Sequence, residues 1–161
     1  MKKIILLPML LLSACTSVNI NPLDASYKVK EICIRENPKV HIEELVEVIA
    51  NNLKRHNIDS RFVKSQVDKN ALEADKQSDQ YFMNLTPTPE DCAFNLTYTA
   101  RNSRDFAPFL TSALINISDK TQLIAHAEYH LKINGGLSFK KWASVKTKID
   151  PVMDELLQNY P

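Results

Sequence analysis

The sequence predicts a two-layer α/β sandwich in which a mainly antiparallel sheet carries helices on one of its faces. Two kinds of hydrophobic pattern lead to this prediction. Apolar and polar residues alternate through three successive segments between residues 92 and 133, as in strands with one buried face. In residues 42–53 and 142–156, apolar residues recur at intervals of three and four, as along one side of a helix. In chain order the predicted elements are β-α-β-loop-β-β-β-α.

Residues 1–14 have the parts of a secretory signal. Lys2 and Lys3 form a positive start, and the apolar run from 4 to 12 is shorter than the roughly 20 residues that span a bilayer. The boundary Leu12-Ser13-Ala14-Cys15 resembles the lipobox of bacterial lipoproteins. An ordinary signal peptide that happens to contain a cysteine is the alternative.

The lipobox resemblance implies cleavage before Cys15, diacylation of its sulfur and acylation of the new amino group. Two or three acyl chains hold a protein firmly on a bilayer. Thr16 stands where an aspartate tends to retain such lipoproteins in the inner membrane. The resemblance therefore implies an outer-membrane anchor facing the periplasm, with residues 15–30 as a lipidated tether and 31–161 as a single periplasmic domain.

The composition excludes several classes of function. The chain has 20 basic and 19 acidic residues, so no strong field attracts nucleic acid. Its only two glycines are the adjacent Gly135-Gly136, which leaves no glycine-rich phosphate loop. The GxSxG and HExxH motifs of hydrolases and zinc peptidases are also absent from the sequence. We therefore expect no cofactor and no metal.

The first half of the domain predicts a strand, a helix and a strand. In "KEICIREN", Ile32 and Ile34 share one side of an extended segment that ends at Pro38. The helical stripe of 42–53 has acidic residues in its first turns and basic residues in its last, which suits the helix dipole. "DSRFVKS" then predicts a short second strand.

The second half begins with a long polar segment, 65–91, which predicts a surface loop. Three alternating strands follow, and then a helical stripe that includes Trp142, Ile149 and Met153. Pro151 interrupts this stripe. Either the helix kinks there, or Asp150 caps a separate helix with Pro151 at its first position.

Three phrases resemble the Sbal-type family of small proteobacterial envelope lipoproteins, whose function is unknown. They are "ICIRENPKV" at 32–40, "CAFNLTYTARNSRDFAPFLTSALINI" at 92–117 and "AEYHLKINGGLSFKKWAS" at 127–144. The chain is more loosely similar to TolB amino-terminal and related lipoprotein domains, which bind other envelope components. These resemblances imply no catalytic residue and no ligand.

Cys33 and Cys92 are the two thiols that remain if Cys15 is acylated. In an oxidising periplasm such a pair usually bonds. The bond would close a loop of about 60 residues, worth roughly 4 kcal/mol in the chain-entropy model, and would hold the polar segment. Two separate free thiols are the alternative.

Two groups of polar residues are candidate sites. His126, Glu128 and His130 share one strand face and could supply two metal ligands, or could simply be the solvated face of a strand. Arg104 and Asp105, with Arg101, form a charged corner between strands that could hold a partner or a carboxylate, or could be a self-satisfied ion pair.

The aromatic residues are most simply core. This group is Tyr98, Phe106, Phe109, Tyr129 and Trp142. Trp142 and Phe139 could instead rim a groove near Gly135-Gly136.

The sequence favours a non-enzymatic lipoprotein whose domain binds an envelope protein or assists envelope assembly. The alternative is a small ligand-binding or hydrolytic lipoprotein with a site near Arg104 and Asp105 or near His126 and His130. A folded pocket that gathers titratable side chains with shifted pKa values would favour the alternative.

Overall fold

The computed structural model describes residues 16–64, 90–132 and 139–161. Within these ranges the chain forms six strands, two α-helices and two short 3₁₀ turns, Ala25–Tyr27 and Phe139–Trp142. The strands are β1 (Thr16–Asn21), β2 (Glu31–Arg35), β3 (Asp59–Val63), β4 (Asn95–Arg104), β5 (Pro108–Ser118) and β6 (Leu123–Leu131), and the helices are α1 (Glu43–Arg55) and α2 (Val145–Leu156). The predicted signal at 1–14, Cys15, most of the predicted loop (65–89) and Gly135-Gly136 lie outside the described residues.

The six strands form one sheet in the order β1-β6-β5-β4-β2-β3. The β4–β5, β5–β6 and β1–β6 pairs are antiparallel. β2 runs parallel to both β3 and β4, so α1 forms the crossover that parallel neighbours require. Buried side chains of α1, α2 and one face of the sheet form a single hydrophobic core. The predicted two-layer α/β sandwich with a mainly antiparallel sheet is confirmed.

Residues 16–30, predicted as a tether, belong to the folded domain. β1 is an edge strand of the sheet and pairs with β6 along its whole length. Leu23 is fully buried, and its N–H donates to the carbonyl of Leu156 at 2.8 Å. The tether prediction is wrong because β1 is held by its ladder hydrogen bonds to β6 and buries little of its side chains. Val18 is 43% exposed and Ile20 is half-buried, so the segment looks polar in the sequence.

The two helices bury the stripes that their spacing predicts. The fully buried side chains are Leu45, Ile49 and Leu53 in α1 and Ile149, Met153 and Leu156 in α2. Trp142, which the spacing placed on the last helical stripe, instead lies in the 3₁₀ turn before α2 and is half-buried. Neither α-helix in the described ranges combines the length and the apolar composition needed to cross a membrane.

α2 runs through Pro151 as one helix. Its N-cap is Ser144, whose hydroxyl accepts a hydrogen bond from the N–H of Thr147 at 3.1 Å. Pro151 is exposed inside the helix, so its ring faces water and not the core. The alternative of a separate second helix capped by Asp150 is wrong, since the start signal lies at Ser144.

A disulfide joins β2 to the residues that lead into β4. The Cα atoms of Cys33 and Cys92 are 6.0 Å apart, and both residues are buried. The predicted pairing of these two cysteines is therefore present. The bond lies beside the N–H of Cys33, which donates to the carbonyl of Phe94 at 2.9 Å. It therefore reinforces the place where β2 and β4 first meet.

The helical face generates a stability prediction. Leu45→Ala removes a fully buried side chain from the face of α1 that packs on the sheet. We expect it to lower the free energy of unfolding by about 2–5 kcal/mol, measured by urea denaturation. Glu44→Ala, at an exposed neighbouring position on the same helix, should change it by less than about 0.5 kcal/mol. Equal effects of the two substitutions would contradict the assigned buried face.

Candidate binding cleft

A cleft of about 410 Å³ opens at the end of the sheet where β4 turns into β5. Three segments surround it: the start of α1, the β4–β5 hairpin and the 3₁₀ turn before α2. The lining residues are His41, Ile42, Glu44, Asn102, Pro108, Phe109, Leu110, Trp142, Ala143, Ser144 and Val145. The cleft thus combines aromatic and aliphatic walls with a few polar groups, which is the usual character of a binding site.

One side of the cleft is a cluster of cations and aromatic rings. The ammonium group of Lys141 lies 5.0 Å from the ring centre of Phe109 and 4.8 Å from that of Trp142. These distances allow cation–π attraction, which stabilises an ammonium group held against aromatic rings. Lys141 also pairs with the carboxylate of Asp105, at the hairpin tip. The hairpin and the 3₁₀ turn are therefore held together across the side of the cleft.

Lys148 of α2 also holds the 3₁₀ turn in place. It is buried, and its ammonium group donates to the carbonyl oxygens of Leu110 at 3.0 Å and Lys141 at 2.6 Å. Burial lowers the pKa of Lys148 from its ordinary value, because removal from water disfavours the charged form. The two hydrogen bonds that Lys148 donates offset part of that cost. Lys148 therefore ties α2 both to β5 and to the 3₁₀ turn.

The polar groups of the cleft differ in whether they form hydrogen bonds that stabilise a helix. Ser144 caps α2 through its hydroxyl, so its oxygen serves the helix. His41, Glu44 and Asn102 line the cleft, and Glu44 and Asn102 are exposed. These side chains can donate to and accept from a bound polar group at the cleft opening.

The predicted charged corner lies next to this cleft. Arg104 ends β4, and Asp105 follows in the turn, where it pairs with Lys141. The ion-pair alternative therefore describes Asp105, although its partner comes from a distant segment and not from Arg104. Trp142 lines the cleft, whereas Gly135-Gly136 and the side chain of Phe139, which the groove alternative groups with it, lie outside the described part of the chain.

The predicted histidine face lies elsewhere. Ala125, Ala127 and Tyr129 of β6 point into the core, so His126, Glu128 and His130 point to the opposite face of the sheet. The Nε2 atom of His130 is 2.8 Å from a carboxylate oxygen of Glu128. Among the described residues, no three histidine, cysteine, aspartate or glutamate side chains are grouped so that they could hold a metal ion.

The predicted aromatic core is correct at three of five positions. Tyr98, Phe109 and Tyr129 are buried, whereas Trp142 is half-buried and Phe106 is 93% exposed. Burial raises the pKa of Tyr129 to about 12, and its hydroxyl has no hydrogen-bond partner among the described residues. The indole N–H of Trp142 is likewise buried without such a partner. The prediction for Phe106 is wrong because the residue occupies a hairpin tip, which alternation along a strand does not reveal.

Sequence reasoning missed Lys141 and Lys148, although one signal was available. Lys148 follows Val145 by three residues and precedes Val152 by four, so it falls on the apolar stripe of the helix. A lysine at such a position must find carbonyl or carboxylate partners in the core. Its partners, in β5 and in the 3₁₀ turn, become neighbours only when the chain has folded.

No protein family model matches the chain, and no curated protein sequence is similar to it. Two solved structures are similar in part. A chain of the PelC dodecamer from Paraburkholderia phytofirmans has a TM-score of 0.46 and 13% identity over 86% of this chain and 97% of that one. A minor lipoprotein from Acinetobacter baumannii has a TM-score of 0.31 and 12% identity over 81% of this chain and 88% of that one.

The buried lysine generates a second stability prediction. Lys148→Met keeps the length of the side chain but leaves the carbonyls of Leu110 and Lys141 without their donor. We expect a loss of about 1–3 kcal/mol in the free energy of unfolding, measured by urea denaturation. Lys146→Met, which removes an exposed ammonium group that pairs with Asp150 on the same helix, should cost under about 1 kcal/mol. A neutral Lys148→Met variant would show that the ammonium group does not hold the turn.

Proposed function

We propose that this protein is an outer-membrane lipoprotein whose periplasmic domain binds another envelope component without catalysing a reaction. The observation that carries the proposal is the boundary Leu12-Ser13-Ala14-Cys15, which follows a positive start and a short apolar run. Acylated Cys15 would attach the domain to the membrane without a spanning segment.

The disulfide supports a location outside the cytoplasm. Disulfides persist in oxidising compartments such as the bacterial periplasm and are rare in the cytosol. Cys33 and Cys92 bond to each other within the domain. Cys15 is then the cysteine left for acylation in a chain that has three.

The cleft supports binding rather than catalysis. The two lysines beside it are engaged in the structure, since Lys141 pairs with Asp105 and Lys148 donates to two carbonyls, and Ser144 in its wall caps α2. Of the residues that line it, His41 and Glu44 are the titratable ones. The surface left to a ligand is aromatic and aliphatic, with polar groups at the opening. Such a surface suits a partner that contributes an apolar side chain flanked by hydrogen-bonding groups.

A small-ligand-binding or hydrolytic lipoprotein is the second candidate function. The size of the cleft favours it, because about 410 Å³ lies within the range of roughly 300–1,000 Å³ that small-molecule sites occupy. The charged corner at Arg104 and Asp105 borders this cleft, whereas His126 and His130 lie on the other face of the sheet. A ligand in the cleft would therefore meet the first of these two predicted sites and not the second.

The proposed anchor is tested by removing the cysteine that accepts the acyl chains. Cys15→Ser should yield a protein that a palmitate analogue does not label and that the lipoprotein signal peptidase does not cleave. Mass spectrometry of the wild-type amino terminus should show Cys15 with its acyl chains. Cys92→Ser is the control, since it removes a cysteine of the folded domain and should leave palmitate labelling intact. A mature wild-type amino terminus that is free and unacylated would contradict the proposal.

The binding function is tested by crosslinking from the cleft in intact envelopes. A photoreactive residue at Asn102, an exposed position that lines the cleft, should form a covalent adduct with one envelope protein. The same residue at Leu123, exposed at the start of β6, should not form that adduct. An adduct of small-molecule mass at Asn102 would favour the second candidate function, and identical adducts at both positions would contradict a role for the cleft.

A further inference from the structure

The tip of the β4–β5 hairpin presents an aromatic side chain to solvent. Phe106 is 93% exposed, against 43–53% for the other large hydrophobic residues exposed in the described ranges. Its ring centre lies 6.4 Å from that of Trp142, so two aromatic rings meet at this end of the molecule. Ala107 and Pro108, which follow in the chain, are also exposed. The tip is therefore a small apolar projection.

Strand register places this tip at the end of the sheet where β1 begins. Ser17 pairs with His130, His130 with Ser112, and Ser112 with Arg101, so these four residues form one row across the sheet. β4 and β5 continue past this row to the pair Arg104–Pro108. At about 3.3 Å per residue, the three residues from Arg101 to Arg104 extend the hairpin by roughly 10 Å.

The same row limits how far the anchor can lie from the hairpin. Cys15 is two residues from Ser17, and an extended chain covers at most about 3.6 Å per residue. Two extended residues span at most about 7 Å, so along the strands the anchor cannot be farther than that from Ser17, whereas the hairpin extends roughly 10 Å beyond the row. If Cys15 carries acyl chains in a bilayer, the domain has no spacer with which to stand away from that surface.

The charges at the tip suit a phospholipid surface. Arg104 is exposed at the end of β4, immediately before the tip. The neighbouring carboxylate, Asp105, pairs with Lys141. Lipid phosphates attract arginine side chains, and aromatic rings lie at the boundary between headgroups and acyl chains. An aromatic tip next to an arginine combines both contacts.

We propose that the β4–β5 hairpin docks on the bilayer that holds the acyl chains of Cys15, with the Phe106 ring inserted at the boundary between headgroups and acyl chains. The inference rests on the proposed lipidation and adds a fixed orientation to it. With the hairpin tip on the membrane, the strands point away from the membrane surface. The anchored strand β1 and the strand β3 form opposite edges of the sheet. The cleft then opens close to the lipid surface, where an anchored partner can reach it.

The test uses tryptophan fluorescence of the acylated full-length protein in vesicles. Trp142 is the only tryptophan of the chain, so Trp142→Phe removes the native signal. In that background, Phe106→Trp places a reporter at the tip. Phe62→Trp is the matched control, because Phe62 is also exposed but lies far from the tip. Phe62 is in the same row of the sheet as Leu96 of β4. Leu96 is eight residues before Arg104, which is roughly 26 Å along the strand. The vesicles contain phosphatidylethanolamine, phosphatidylglycerol and a phospholipid brominated near the headgroup end of its acyl chains.

We expect the brominated lipid to quench about half of the emission from position 106, since interfacial side chains lie about 5–10 Å deep, and to leave emission from position 62 nearly unchanged. Mass spectrometry of the same samples establishes acylation separately. Acylated protein with no quenching at position 106, or with equal quenching at both positions, overturns the docking proposal while the anchor stands. Protein without acyl chains overturns the proposed anchor, and the docking proposal with it. Because the vesicles hold no other protein, selective quenching at position 106 identifies the bilayer as the occupant.

Discussion

The fold depends on the junction between β2 and β4, where its two halves meet. One half is the parallel unit of β2, α1 and β3, and the other is the antiparallel set of β4, β5, β6 and β1. The direct pairing across the junction is short, because the register joins only Cys33 to Asn95 and Ile34 to Leu96. Two further links reinforce it. The disulfide binds Cys33 to Cys92, and the buried Asn37 amide donates to the carbonyl of Tyr98 at 2.9 Å. A covalent bond thus strengthens the part of the sheet that has the fewest ladder hydrogen bonds of its own.

Packing of the two helices on one face of the sheet explains where the cleft lies. α1 and α2 cover the rows that contain Ile34, Leu96 and Ile115, whereas β4 and β5 extend past the row in which β1 begins. Among the described residues, the start of α1 and the 3₁₀ turn lie beside the sheet at that extended end, and the cleft opens between them. Lys148 and Lys141 hold the walls of this space in place through carbonyls, aromatic rings and Asp105. The same end of the molecule therefore carries the cleft, the charged corner and the exposed tip.

Much of this architecture can be predicted from the sequence, because one-sided burial leaves a periodic trace. The alternation in β4–β6 and the stripes of α1 and α2 identify the layers. The lipobox resemblance implies an oxidising compartment, and with two remaining cysteines this predicts the Cys33–Cys92 bond. The candidate site is predicted only in part. Trp142 and Asp105 do lie at the cleft, but Lys141, Lys148 and Phe109 join them from segments about 30 to 40 residues apart in the chain, and no local pattern indicates that they meet.

The sequence by itself determined the layer arrangement, because hydrophobic period is a local property that neighbouring residues express together. The resemblance of residues 12–15 to a lipobox is likewise a local property, and the anchor that it implies is a prediction from sequence. Only the tertiary structure decided that residues 16–21 are a strand and not a tether, since an edge strand gains its ladder hydrogen bonds from β6, more than 100 residues later in the chain. It also decided which aromatic residue is exposed. Phe106 and Phe109 are three residues apart, yet one projects from the hairpin tip and the other is buried, because the turn ends the alternation between them and Phe109 packs against the two lysines. Both results depend on strand register and on pairing between distant segments, which the residues of a single segment do not show.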